Sequence, residues 1–156
     1  MIAFSLDEIR KDCSELMDHA RSAVLTTLDS DGFPISRGIF NLRNSDQFQE
    51  FRKFFQEHKN PFLILISTNE CSTKVTHIKK DPRINVYFCD DEDFKGLMLG
   101  GEAEIVQDEN LKKEIWLDWW VKYYPKGIND PDYCLIRLNP KKLRFYHKLK
   151  QVTLDL

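Results

Sequence analysis

The sequence predicts an α+β fold built on an antiparallel, barrel-like sheet of six strands, and three observations predict it. Short apolar segments with period-two alternation recur along the chain, turn residues separate them, and helical patterns do not alternate with them one for one as a parallel sheet requires. The 156 residues are 42% hydrophobic, enough for one core of ordinary size. No Pro-, Gly- or Ser-rich linker divides them, so residues 1–156 are expected to form a single domain.

The elements follow in order. Ser5 with Glu8 makes a capping box, and Leu6, Ile9, Cys13, Leu16 and Ala20 repeat near helical spacing, which predicts a helix ending near Arg21. Ala23 to Leu28 is β-prone, Asp29-Ser30-Asp31-Gly32 is a turn, and Pro34 to Leu42 resumes in extended form, so a hairpin is expected. Gln47 to Glu57 carries Phe48, Phe51, Phe54 and Phe55 among charged residues and reads as an amphipathic helix with its aromatic stripe in the core. Apolar Phe62 to Ile66 predicts a buried strand. Ser67 to Lys74 then reads as an anion-binding turn, in which Ser72 caps a helix start and Lys74 supplies positive charge. Pro82 stops that helix before Ile84, Val86 and Phe88 alternate.

Gly96 to Val106 predicts a long strand, in which Gly100 and Gly101 permit close backbone approach. Asp108 begins a helix with Leu111, Ile115 and Trp119 on one face and Trp116, Trp120 and Tyr123 beside it, ended by Pro125 and Gly127. The tryptophans are read as core or interface packing. Tyr133 to Leu138 and Leu143 to His147 read as strands separated by Asn139-Pro140.

Composition excludes several function classes. A formal net charge of -2 gives no global attraction to nucleic acid or an anionic membrane, so any anion site must be local. No apolar run approaches the roughly 18 to 20 residues that a membrane helix needs. Cys13, Cys71, Cys89 and Cys134 form no Cys-x-x-Cys pair, and Met1 to Ser5 lacks a basic region followed by an apolar core, so a cytoplasmic protein with reduced thiols is expected. There is no phosphate-binding Gly-x-x-x-x-Gly-Lys loop, no Gly-x-Gly-x-x-Gly turn and no His-Glu-x-x-His pair. His19, His58, His77 and His147 lack metal-ligand spacing, and no metal is expected. Cys71, near Lys74 at a helix start, is expected to have a lowered pKa, but no base is recognisable beside it.

Four stretches together carry a resemblance. Thr68-Asn69 with Ser72-x-Lys74, followed by Asp81-Pro82-Arg83-Ile84, is one. Pro34-Ile35-Ser36-Arg37, Gly101-Glu102-Ala103-Glu104, and Asn129 to Tyr133 with Pro140 to Tyr146 are the others. From about Ala23 to His147 the chain resembles the flavin-binding split-barrel superfamily that includes pyridoxamine 5'-phosphate oxidase, specifically its general-stress-protein branch. The resemblance implies a six-stranded antiparallel split β-barrel (Greek key) with flanking helices. It also implies a homodimer with FMN at the interface and a small-molecule redox substrate.

Carried over residue by residue, the resemblance assigns the FMN phosphate to Arg37, Ser72, Thr73 and Lys74. It assigns flavin contacts to Ser67 and Thr68, and places Tyr146 where the family often has a tryptophan beside the ring. Several positions depart from the true oxidase. Thr73 replaces an arginine of the phosphate turn, Leu42 replaces a substrate-binding lysine, Gly96 stands at a flavin-contacting glutamine, and Lys148 to Leu156 lack the Arg-x-His tail. The expected function is therefore an FMN-dependent oxidoreductase of another substrate. The alternatives are a module that holds flavin, deazaflavin or haem as a sensor or store, and a structural dimer without cofactor. No side chain is assigned as catalytic acid or base.

Overall fold

In the computed structural model, which describes residues 5–156, Ser5 opens the first helix with the expected reciprocal bonds. Its hydroxyl accepts from the Glu8 amide at 3.2 Å, and the Glu8 carboxylate accepts from the Ser5 amide at 2.8 Å. Helix α1 (Leu6–His19) buries Ile9, Cys13, Leu16 and Met17, whereas Leu6 is exposed. Its end falls before Arg21.

Every extended segment marked in the sequence forms a strand, and one more is added. They are β1 (Ser22–Leu28), β2 (Pro34–Phe40), β3 (Ile64–Asn69), β4 (Arg83–Asp90), β5 (Lys95–Ile105), β6 (Tyr133–Leu138), β7 (Lys142–His147) and β8 (Lys150–Asp155). The class is α+β as expected; the described residues form eight strands, where six are expected for the barrel and the sequence marks seven extended segments. The unexpected β8 follows a reversal at Lys148 and Leu149, whose φ angles are 48° and 62°. Asn-Gly or Asp-Gly would have marked such a turn; Lys-Leu gives no signal. By contrast, the β1–β2 turn is conventional. Gly32 takes φ 78°, and the Asp29 carboxylate accepts from the amides of Asp31 and Phe33, each at 2.9 Å.

The sheet is antiparallel in the order β2-β1-β4-β5-β6-β3, with β7 and β8 branching from β5. Residues 95–100 of β5 pair with β7, and residues 103–105 pair with β6. The branch point lies at Gly100-Gly101, where the Gly100 carbonyl accepts from the Lys141 amide at 2.9 Å. A Cβ at Gly101 would stand 3.2 Å from Leu138 Cδ1 and 3.4 Å from the Asn139 carbonyl oxygen, so a small residue lets the β6–β7 connection cross here. The sheet curls until β2 and β3 touch across an open seam without pairing.

Both faces of β3 and β6 are buried. Ile64, Ile66, Cys134, Ile136 and Leu138 join a core with Leu25, Val86, Phe88, Leu97, Leu99, Phe145 and α1. Leu63, Leu65, Tyr133 and Leu135 alternate onto a second core with Phe48, Phe51, Phe55, Ile115, Trp120 and Tyr124. The segment Asn44 to Asn60 thus has a structural role: a 3₁₀ turn at Gln49–Phe51 and helix α2 (Arg52–Glu57) cover this outer face.

One helix is much shorter than its pattern suggests. Asp108 caps α4 (Glu109–Glu114), but Leu117 is extended and Trp119 and Trp120 lie in a 3₁₀ turn at Asp118–Lys122. The Tyr133 hydroxyl donates to the carbonyl of Ile115 and lies 3.2 Å from that of Lys112. It thereby takes the acceptor that a longer helix would offer to Trp119. Tyr133→Phe is expected to cost about 1–2 kcal/mol in urea unfolding, since it strands a buried carbonyl at the end of α4.

Candidate functional site

Arg37 lies on the inward-facing side of β2, with Ile35 and Ile39, and pairs across the hairpin with Leu25. Its Nη1 donates to the Thr27 hydroxyl at 2.7 Å and to the Ile35 carbonyl at 2.9 Å; the Leu25 carbonyl is a longer 3.5 Å away. Those contacts satisfy one nitrogen of the fork. Among the described residues Nη2 and Nε have no hydrogen-bond partner and Arg37 has no carboxylate partner, so its remaining donors are available to a ligand.

Lys74 approaches from the other side of the seam. It belongs to the first turn of helix α3 (Thr73–Lys80), and its Nζ donates to the Thr68 hydroxyl of β3 at 2.9 Å. Burial lowers its pKa first, and the neighbouring Arg37 guanidinium lowers it further. Burial also lowers the pKa of Arg37. Two cations converging without a counter-charge favour an anion between them. The first intrahelical bonds run from Val75 and Thr76 to the Ser72 carbonyl, which leaves the amides of Thr73 and Lys74 at the positive end of α3.

The turn before α3 is fastened by Asp132, the residue that precedes β6. Asp132 accepts from Asn69 Nδ2 at 2.5 Å and from the Cys71 amide at 3.0 Å, while its own carbonyl accepts from the Glu70 amide at 2.8 Å. The Asn69 and Cys71 donors hold the Asp132 carboxyl below its usual pKa. Cys71 Sγ also lies 3.7 Å from that carboxylate. The thiol pKa is consequently raised, first by the hydrogen bond to Asp132 and then by its charge; the opposing pull of Lys74 is smaller. The lowered pKa that Lys74 and the helix start suggested is corrected: a neighbouring carboxylate disfavours thiolate.

A cavity of about 410 Å³ occupies the seam, lined by Ser22, Arg37, Gly38, Ile39, Phe40, Ser67, Thr68 and Lys74. It unites four of the seven residues assigned from the sequence, Arg37, Ser67, Thr68 and Lys74. Ser67 and Thr68 sit on β3 and not in the turn. Ser72 and Thr73 adjoin the site at the helix start without lining it. Ser72 is the N-cap residue, yet its hydroxyl makes no capping bond and is buried without a partner. Thr73 is exposed. Tyr146 lies on β7, separated from β2 by the three strands β1, β4 and β5, with its ring beside Phe94. It does not line the cavity that contains Arg37.

Sequence reading missed Thr27, His77, Phe40 and Tyr124. Thr27 is completely buried and joins Arg37 to His77, Phe40 forms a wall of the cavity, and Tyr124 interacts with Ser67. Burial pushes the Tyr124 hydroxyl up to about 12 despite that interaction. Two departures acquire physical reasons. Leu42 is buried in the outer core, where a lysine charge would be desolvated. A side chain at Gly96 would overlap the Tyr87 hydroxyl, so glutamine there would displace that ring.

The donor set fits a phosphate monoester: guanidinium, ammonium and hydroxyls line the cavity without a carboxylate, and the start of α3 adjoins it. Apolar Ile39 and Phe40 extend the cavity beyond the cations and suit an organic group attached to that anion.

Comparisons with known proteins place these observations in context. The sequence model of the family described as "Pyridoxamine 5'-phosphate oxidase like" matches residues 54–153. A Clostridium acetobutylicum structure, described as related to general stress protein 26 of Bacillus subtilis and of the pyridoxinephosphate oxidase family, is 30% identical. The match covers 96% of each chain with a TM-score of 0.76. General stress protein 26 of Bacillus anthracis is 22% identical, with 94% of this chain and 98% of that one covered and a TM-score of 0.68. A haem-binding protein of Mycobacterium smegmatis shares the fold at 14% identity and TM-score 0.68, covering 99% of this chain and 60% of its own. No curated protein sequence matches. No helix among the described residues is long and apolar enough to cross a membrane.

Proposed function

Since the chain belongs to the pyridoxamine 5'-phosphate oxidase like family, we propose that it binds FMN in the β2–β3 seam and acts as an oxidoreductase. The observation that carries this reading is the unneutralised convergence of Arg37 and Lys74 in one cavity. Arg37 would hold the phosphate through its free guanidinium nitrogens and Lys74 through its ammonium, with the amides at the start of α3 adding partial positive charge. The buried, unpartnered Ser72 hydroxyl is a further polar group beside that start. Thr68 orients Lys74, and Phe40 and Ile39 offer apolar area to the rest of the ligand. Bound flavin supplies the electron-transfer chemistry, while the protein supplies binding, orientation and exclusion of water.

A homodimer belongs to the same reading. Tyr146 lies apart from the cavity within one chain, so a role beside the flavin requires a second copy to deliver it. The fold similarity to a haem-binding protein supports a second cargo less well. The cavity lining contains no histidine, cysteine, methionine or tyrosine to ligate a haem iron.

The decisive experiment is titration of purified protein with FMN, followed by anaerobic addition of NADH or NADPH. Saturable binding with one FMN per chain is expected, as is bleaching of the flavin absorbance by a reduced nicotinamide and its return with an acceptor. Protein that is colourless and does not bind added FMN would overturn the proposal. Stable binding without reduction or reoxidation would instead identify a flavin store or sensor.

A further inference from the structure

We infer that Thr27 and His77 form a part-buried relay that aims Arg37 at the ligand phosphate, making them positioning residues for phosphate selectivity. Thr27 is fully enclosed on the inner face of β1, and its hydroxyl meets two groups. Arg37 Nη1 lies 2.7 Å away and His77 Nδ1, on α3, lies 2.8 Å away. A guanidinium can only donate, so the Thr27 oxygen accepts from Arg37 and its hydrogen is free to go to His77 Nδ1. A buried hydroxyl hydrogen needs an acceptor, and this nitrogen is the one in reach. The ring proton of the neutral tautomer then resides on Nε2.

The relay has a directional consequence. The Nη1 hydrogens are used by Thr27 and Ile35, which leaves Nη2 and Nε for an anion. Because His77 belongs to the same eight-residue helix as Lys74, the hydroxyl also ties the two cations into one frame. The β1 hydroxyl therefore sets the separation of groups carried by β2 and α3. That arrangement is pre-organisation: the guanidinium is fixed before a ligand arrives.

The functional part of the inference rests on the proposed FMN site, and two independent readouts distinguish their failures. The first needs no flavin. Histidine ¹⁵N shifts of the cofactor-free protein should show His77 protonated on Nε2 with Nδ1 bare. A neutral ring protonated on Nδ1 would overturn the relay whatever the protein binds. The second compares FMN with riboflavin. Thr27→Val and His77→Leu should each weaken FMN about tenfold and leave riboflavin within about twofold, because only the phosphate depends on Arg37. Thr27→Ser restores the hydroxyl, and His77→Asn places an amide oxygen near the Nδ1 position; both should keep the wild-type ratio. Unchanged ratios in Thr27→Val and His77→Leu, or equal losses of both ligands, would reduce the pair to a packing role. If the wild-type protein itself does not distinguish FMN from riboflavin, the phosphate site fails and the tautomer result still decides the relay. Thermal unfolding of each variant reports any loss of fold, and Thr27→Ser and His77→Asn keep the comparison decisive if the larger replacements unfold.

Discussion

Replacing Arg37 and Lys74 together by alanine is expected to weaken FMN binding by about three orders of magnitude while riboflavin affinity changes less than about threefold. Each side chain offers a charge-assisted hydrogen bond worth about 1.5–3 kcal/mol, and every 1.4 kcal/mol is a factor of ten. Neither cation has a carboxylate partner among the described residues, so their loss strands no buried acid. It also removes the repulsion that lowers the pKa of Lys74. The buried Thr27 oxygen loses its Arg37 donor, a cost of about 1 kcal/mol that leaves the fold intact and the comparison interpretable. Thermal unfolding verifies this, and fluorescence titration with each flavin measures the ratio. Parallel losses for FMN and riboflavin would show that the two cations do not hold the phosphate.

The second large effect is structural. Trp120 is buried at the centre of the outer core, with ring centroids 6.0 Å from Phe51, 6.0 Å from Trp116 and 6.1 Å from Tyr133. Trp120→Ala should cost about 3–5 kcal/mol through lost contacts and the cavity left behind. Trp120→Phe should cost less than about 1.5 kcal/mol, because the indole Nε1 is buried without an acceptor and its removal eliminates an unsatisfied donor. Guanidinium unfolding of the two variants separates these outcomes. Equal destabilisation would mean that the N–H makes a bond of its own.

The legible parts of the fold were those with local physical causes. Ser5 and Glu8 specify a helix start within four residues, and Asp29 and Gly32 specify a reversal by side-chain bonding and positive φ. The aromatic residues from Phe48 to Phe55 betray a buried face by spacing alone. What failed required distant partners. Nothing near Leu117 announces that a tyrosine sixteen residues on will occupy the Ile115 carbonyl and stop α4. Nothing in Lys148-Leu149 announces a tight turn.

The candidate site divides in the same way. Lys74 stands out as a positive charge at a helix start, whereas Arg37, Ser67 and Thr68 are marked only by the resemblance of their stretches to the family's. Thr27 does not stand out. Threonine is an ordinary strand residue, and only the cross-strand geometry with Arg37 and the approach of His77 reveal its position. Tyr146 illustrates the opposite limit: its aromatic character is visible in sequence, whereas the single chain keeps it away from the seam.

The division of β5 between β7 and β6 at Gly100-Gly101 bears on how the protein unfolds. A sheet whose branches meet in one strand has no boundary along which one branch can detach and leave the other whole. Peeling β6 frees the β3 wall of the seam, while peeling β7 uncovers β5 beside β4. Either event exposes apolar side chains of the common interior, including Leu138 in the first case and Leu143 and Phe145 in the second. The branched strand thereby couples the rigidity of the anion site to the cooperativity of the entire barrel, so that amide exchange from the middle of β5 reports global opening more than local fraying.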